Sequence, residues 1–167
     1  MTVLAPDPAL ATAVIRHLDA QIASARRLLE LVLRQGKAIR EQDVEAVLLR
    51  LSEVKTEMAL RERLEEERTV LIARAGSALG VPAAAVTLEG LTTLMPHTDG
   101  DTARDRSAEL RGLLAEIARE HGINRALMKQ ELAFLDHLVR LIGQDSPTGY
   151  APAADGSGGH RVLDLSA

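Results

Sequence analysis

The residues best suited to chemistry in this 167-residue chain are its histidines, and their spacing does not predict a metal site. None of them lies in a zinc pattern such as H-E-x-x-H. His121 and His137 are too far apart along one helix to share an ion. The chain has no cysteine, which excludes disulfides and thiolate ligands. The five histidines are His17, His97, His121, His137 and His160.

His17 raises the possibility of phosphotransfer, because such histidines occur on helical bundles. A lysine and a small residue usually follow them, whereas Leu18, Asp19 and Ala20 follow here. A plain surface histidine is therefore the better interpretation. The glycine-rich segment at residues 156–159 lacks the lysine and the hydroxyl residue of a phosphate-binding loop, which favours a linker. We expect no enzymatic activity and no cofactor.

The charge distribution argues against nucleic acid as a partner. The formal net charge is −4 and the pI is about 5.7, whereas binding to phosphates needs a basic face. Residues 61–68 carry three arginines and four glutamates, as expected of a solvated helix face. No window of about 18 apolar residues predicts a membrane span, and the N-terminus lacks the pattern of a secretory signal. We expect a cytoplasmic protein.

The composition and the hydrophobic spacing predict an all-α fold. Aromatic residues make up 1% of the chain, and strong helix formers dominate it. Apolar residues recur at alternating steps of four and three, which is typical of antiparallel helical bundles and coiled coils. We predict a helical domain over residues 1–147, elongated and built from three long antiparallel helices, and a flexible tail over residues 148–167. The helices are expected at about 8–40, 43–78 and 102–143, with a short helical insert at 87–95.

Polar residues interrupt the apolar stripe of the third predicted helix. His121, Asn124 and Glu131 all occupy stripe positions. Buried polar groups cost stability unless they are paired, so one interpretation is a wet, exposed part of the stripe. The other is that a partner helix completes this part of the molecule. Met128, an adaptable contact residue, lies beside them.

The order of elements resembles the FlgN-type flagellar export chaperones. The resemblance covers nearly the whole chain through loose motifs, the most specific of which lie between Asn124 and Leu135 and in the tail. The matching features are residues 28–31 leading to Gly36, residues 42–47, Lys55 with Arg63 or Arg68, residues 87–91, residues 124–127 leading to Phe134 and Leu135, and Tyr150 with Gly156.

The resemblance implies a cytoplasmic, non-enzymatic chaperone of type III export. Such chaperones bind the helical C-terminal regions of the hook–filament junction proteins FlgK and FlgL, prevent premature assembly and deliver these proteins to the export gate. The family's C-terminal binding segment maps onto Asn124, Leu127, Met128, Glu131, Phe134, Leu135, Leu138 and Ile142. Possible tail contacts are Tyr150, Val162, Leu163 and Leu165.

The heptad spacing also suits a second hypothesis. A structural coiled-coil module would use the same stripes only for self-association, without export cargo. A homodimer is compatible with either hypothesis. The two differ in whether the mass of the particle changes when candidate cargo is added.

Overall fold

A computed structural model describes residues 5–144, and the described part is all-helical. Helices account for 89% of it, and it contains no strand, which confirms that the fold is all-α as predicted. The chain divides into two compact units, Met1–Gln130 and Glu131–Ala167. The helices are α1 (Pro8–Arg40), α2 (Val44–Leu79), α3 (Leu88–Thr92) and α4 (His97–Gln144), with a 3₁₀ turn at Ala83–Ala85.

Two aspartates begin the first two helices. Asp7 precedes Pro8, and its carboxylate accepts a hydrogen bond from the amide of Leu10 at 2.9 Å. Asp43 caps α2 in the same way, since it accepts from the amide of Ala46 at 2.9 Å. Each bond satisfies one of the amides that the first turn of a helix leaves unpaired.

Helices α1 and α2 form an antiparallel hairpin in the first unit. Gln21 contacts Glu65 and Ser24 contacts Glu57, so residue numbers rise along one helix as they fall along the other. An ion pair between Asp7 and Arg74, 2.6 Å apart, continues this pairing to the end of the hairpin. The connection between the helices is only three residues long, and this brings them side by side.

The apolar core of the first unit lies at the end of the hairpin where α3 and the start of α4 close over it. The amide of Asp7 donates to the carbonyl of Leu94 at 2.8 Å, which ties the start of α1 to the segment after α3. The core consists of buried residues from all four helices and from that segment. They are Leu10, Ala11, Val14, Ala75, Leu91, Leu94, Met95 and Ala103.

Helix α4 begins at His97, five residues before the predicted start. Asp99 and Gly100 both lie in the first turn of the helix. The carbonyl of Pro96 accepts from both of their amides, at 3.0 and 2.9 Å. Gly100 is buried, and a Cβ there would lie 3.3 Å from the Cβ of Thr92. The glycine therefore permits close packing of α4 against α3 and does not end a helix.

Helix α4 runs parallel to α1 within the first unit. Arg106 pairs with Asp19 at 2.8 Å, and Glu109 pairs with Arg26. Further along both helices, the Asn124 side chain bonds the backbone of α1. The helix continues through Gly122 without interruption.

Candidate docking surface

The part of α4 in the second unit exposes a broad apolar surface. The exposed fractions are 64% for Leu132, 55% for Phe134, 54% for Leu135 and 68% for Val139. We call the following residues the C-terminal apolar face: Leu132, Phe134, Leu135, Leu138, Val139 and Leu141. At 3.6 residues per turn they span about half of the helix circumference. Such a surface is large enough to pack against another helix.

The other side of this segment is polar. Asp136 and Arg140 form an ion pair with 2.6 Å between Oδ2 and the guanidinium, one turn apart. His137 is exposed on the same side. The segment is therefore amphipathic, and solvation of the polar side leaves the apolar side available for a partner.

Four of the predicted binding residues lie in the second unit with side chains described by the structure. Phe134 and Leu135 are exposed, and Glu131 and Leu138 are half-buried. The backbone of Ile142 lies in α4, but its side chain is outside the described part. The predicted tail contacts, Tyr150, Val162, Leu163 and Leu165, are also outside the described residues.

The remaining three predicted residues lie in the first unit. Met128 is 40% exposed and Leu127 is half-buried, so both present some surface. Asn124 is only 2% exposed, so its side chain is covered within the first unit. Its Nδ2 donates to the carbonyl of Val32 at 2.8 Å. Asn124 thus joins α4 to α1. The amide nitrogen of its side chain finds its hydrogen-bond partner within the protein.

Gly36 explains why Asn124 can approach α1 so closely. A Cβ at this position would lie 2.5 Å from the Oδ1 of Asn124, closer than real contacts allow. Gly36 is buried where α1 meets the Asn124 side chain of α4. Its lack of a side chain is what admits the amide.

The sequence interpretation missed Leu132, Val139 and Leu141. The heptad stripe follows a single line along α4, and these residues flank that line. A signal for them exists, because Leu132 and Val139 are seven residues apart, as are Phe134 and Leu141. Two further apolar lines beside the main stripe indicate a face wider than a coiled-coil contact.

His17 is buried, not on the surface as the sequence predicts. It is 7% exposed and lies between α1 and α2. Its Nε2 lies 3.4 Å from Nε2 of Gln21, and its Nδ1 lies 3.6 Å from a carboxylate oxygen of Glu67. A side chain packed in this way is part of the hairpin interface.

A buried carboxylate in α2 is the other polar centre that sequence reasoning missed. Glu57 is 6% exposed. It accepts from the Ser24 hydroxyl at 2.6 Å and from two nitrogens of Arg27 at 3.1 Å each. Burial raises the pKa of Glu57, but hydrogen bonds from Arg27 and Ser24 and the charges of Arg27 and Arg61 outweigh it and lower the pKa below 4.5. Glu57 is therefore an ionised clamp between the two helices.

Within residues 5–144 no three histidine or carboxylate side chains converge as a metal site would need. In the same range, no helix combines the length and the apolar character needed to cross a membrane.

These features place the chain among all-helical proteins built from long amphipathic helices. The comparison with protein families is more specific, since the FlgN protein family matches residues 1–155. The chain belongs to the FlgN family, and the resemblance noted in the sequence is confirmed. No curated protein and no solved structure matches the chain. Family membership makes the protein a flagellar export chaperone in general terms.

Proposed function

We propose that the protein is a cytoplasmic, non-enzymatic chaperone that binds the C-terminal helical regions of FlgK and FlgL. In this proposal it prevents their premature assembly and delivers them to the flagellar type III export apparatus. The single observation that carries the assignment of the site is the exposure of the C-terminal apolar face in a member of the FlgN family.

The chemistry of the face suits an export cargo. A cargo helix that must assemble later has an apolar side that needs cover before export. The face offers aliphatic side chains and Phe134, the only phenylalanine of the chain. It lies on one helix and is exposed to solvent, so it can be covered by a partner without opening a packed core.

The test removes the apolar character of the face. In the double variant Leu135→Asp/Val139→Asp, two carboxylates would be buried against the cargo without partners, which is costly. We expect the Kd for purified FlgK and FlgL to rise by about 30-fold or more, equivalent to about 2 kcal/mol. Isothermal titration calorimetry measures this directly.

A matched control is available in α2 of the first unit. Leu49 and Leu60 are 52% and 43% exposed, so Leu49→Asp/Leu60→Asp makes the same chemical change elsewhere. The control should keep full affinity. If the C-terminal double variant keeps its helical content by circular dichroism and still binds both cargoes as wild type does, the site is assigned wrongly.

Self-association is the second candidate function, and an exposed stripe on α2 favours it. Val44, Leu48, Leu51 and Met58 lie on one side of this helix and are between 48% and 70% exposed. A coiled-coil module would bury this stripe against a second copy. Light scattering separates the candidates, because a module without cargo gives a dimer mass that added FlgK or FlgL does not change.

The proposal extends to the tail at residues 148–167, which lies outside the described residues. There, Tyr150, Val162, Leu163 and Leu165 would contact cargo or the export apparatus. Deleting residues 149–167 tests the tail. Unchanged cargo affinity together with unchanged export would remove it from the mechanism.

A further inference from the structure

A second surface, separate from the C-terminal apolar face, lies entirely within the first unit. It is a groove of about 370 Å³ where α1, α2 and α4 face one another. Leu18 of α1, Leu71 and Ile72 of α2, and Leu110 and Leu114 of α4 form its apolar wall. Leu114 is 38% exposed, and the other four are half-buried. The groove therefore offers apolar surface that the protein itself does not cover.

The charge of the groove is opposite in sign to that of the chain. Arg61, Arg68 and Arg111 line it against a single carboxylate, Glu65, which leaves a surplus of two positive charges. The chain as a whole carries −4. A basic, apolar groove on an acidic protein selects for a partner with apolar and acidic side chains.

The three arginines differ in how far they are already satisfied. Arg61 lies 3.4 Å from the Ser24 hydroxyl, and Arg68 lies 3.4 Å from a carboxylate oxygen of Glu65. Arg111 is exposed and has no ion-pair partner within the described range. It is therefore the arginine most able to pair with a carboxylate of an incoming segment.

The length of the groove matches one face of a short helix lying along it. Its lining on α2 runs from Arg61 to Ile72, which corresponds to about 17 Å at the rise of an α-helix. About three turns of a partner helix would fill that length. Helices α1, α2 and α4 already form the walls of the groove, and a partner helix packed against them would extend this arrangement of apolar stripes.

We infer that this groove binds an acidic amphipathic helix of a partner protein, with apolar residues against Leu71 and Leu114 and carboxylates against Arg111. This inference goes beyond the proposed function, because it uses neither the C-terminal apolar face nor FlgK and FlgL. It gives the protein a second docking surface.

The first experiment uses two synthetic helical peptides of about 18 residues with the same row of leucines. One carries glutamates beside the leucines and the other carries lysines. Fluorescence anisotropy with the full-length protein should give micromolar binding of the glutamate peptide, weakened by added salt, and at least about tenfold weaker binding of the lysine peptide. Equal affinity for both peptides would overturn the inference.

Charge reversal then tests the assigned arginine. Arg111→Glu should weaken binding of the glutamate peptide by about fivefold or more at low salt. Arg63→Glu makes the same change at an exposed position on α2 outside the groove and should leave the affinity unchanged. If Arg111→Glu binds the peptide as tightly as wild type does, the groove is not the site.

Disulfide trapping locates the peptide, because the chain has no cysteine of its own. Ser107→Cys places a single thiol in the lining of the groove, and Ser77→Cys places one on an exposed part of α2 outside it. A glutamate peptide with one cysteine should cross-link to position 107 in preference to position 77. The cross-link should survive Leu135→Asp/Val139→Asp. Its loss in that background would move the peptide to the C-terminal apolar face and overturn the inference, while leaving the proposed function intact.

Discussion

The buried carboxylate of Glu57 makes a sharp prediction about the α1–α2 hairpin. Glu57→Ala removes the acceptor for the wholly buried Ser24 hydroxyl and for two nitrogens of Arg27. A buried hydroxyl left without an acceptor costs about 1–3 kcal/mol. Arg27 is 55% exposed and returns to water, so its loss adds little. We expect the free energy of unfolding to fall by about 2 kcal/mol.

The assay is thermal unfolding followed by circular dichroism at neutral pH. A chain of this length loses about 2–4 °C of Tm per kcal/mol, so the expected drop is about 4–8 °C. Glu62→Ala is the matched control, since Glu62 is exposed on the same helix and should change the Tm by less than about 2 °C. If the Glu57→Ala variant is as stable as the control, Glu57 does not stabilise the α1–α2 hairpin.

The same clamp predicts a pH dependence of fixed sign. Because the pKa of Glu57 in the folded protein lies below its ordinary value of 4.5, its stabilising contribution is complete above that pH. The contribution decreases as the pH falls through the folded pKa. The difference in stability between wild type and Glu57→Ala should therefore be largest near neutral pH and shrink in acid. A difference that grows below pH 4.5 would contradict the cause given for the shift.

Two further predictions concern α4. Gly122→Ala should stabilise the protein by about 0.5–1 kcal/mol, because nothing lies within 4 Å of the added Cβ and alanine is the better helix former; chemical denaturation measures this, and destabilisation would mean that the glycine has a packing role. Asn124→Ala should cost about 1–2 kcal/mol through the lost bond to Val32 and the space left behind, whereas Arg125→Ala, at an exposed neighbour, should be nearly neutral.

Much of the helical architecture follows from local sequence signals. Asp43 is a preferred cap residue, and its carboxylate does cap α2. Gly80 ends that helix with φ of 70°, a conformation that glycine adopts without strain. The same rules place the start of α4 too late, because an Asp-Gly pair such as Asp99–Gly100 is a common turn signal. The packing of Thr92 against Gly100 shows that the small size of this glycine is needed for contact between α3 and α4.

The burial of polar residues inside the hairpin could not be predicted from the sequence for a different reason. Whether Glu57 is a solvated charge or a buried clamp depends on Ser24 and Arg27, which lie more than 29 residues away in the chain. The same is true of Asn124, whose partner is a backbone carbonyl of α1. Spacing along one helix identifies positions on a stripe, but it does not identify the group that faces them across the interface.

In the second unit, large apolar side chains remain exposed to solvent. This exposure is the strongest physical argument for a partner there. Leu132, Phe134 and Val139 each remain more than half exposed, although burial of such a side chain is worth about 1.5–3 kcal/mol. A single helix does not bury the apolar side chains on its own surface, so they are stabilised only by packing against another element. These residues cluster on one side of the helix, opposite the Asp136–Arg140 ion pair. A docking surface requires such clustering, whereas a helix end that is only solvated does not.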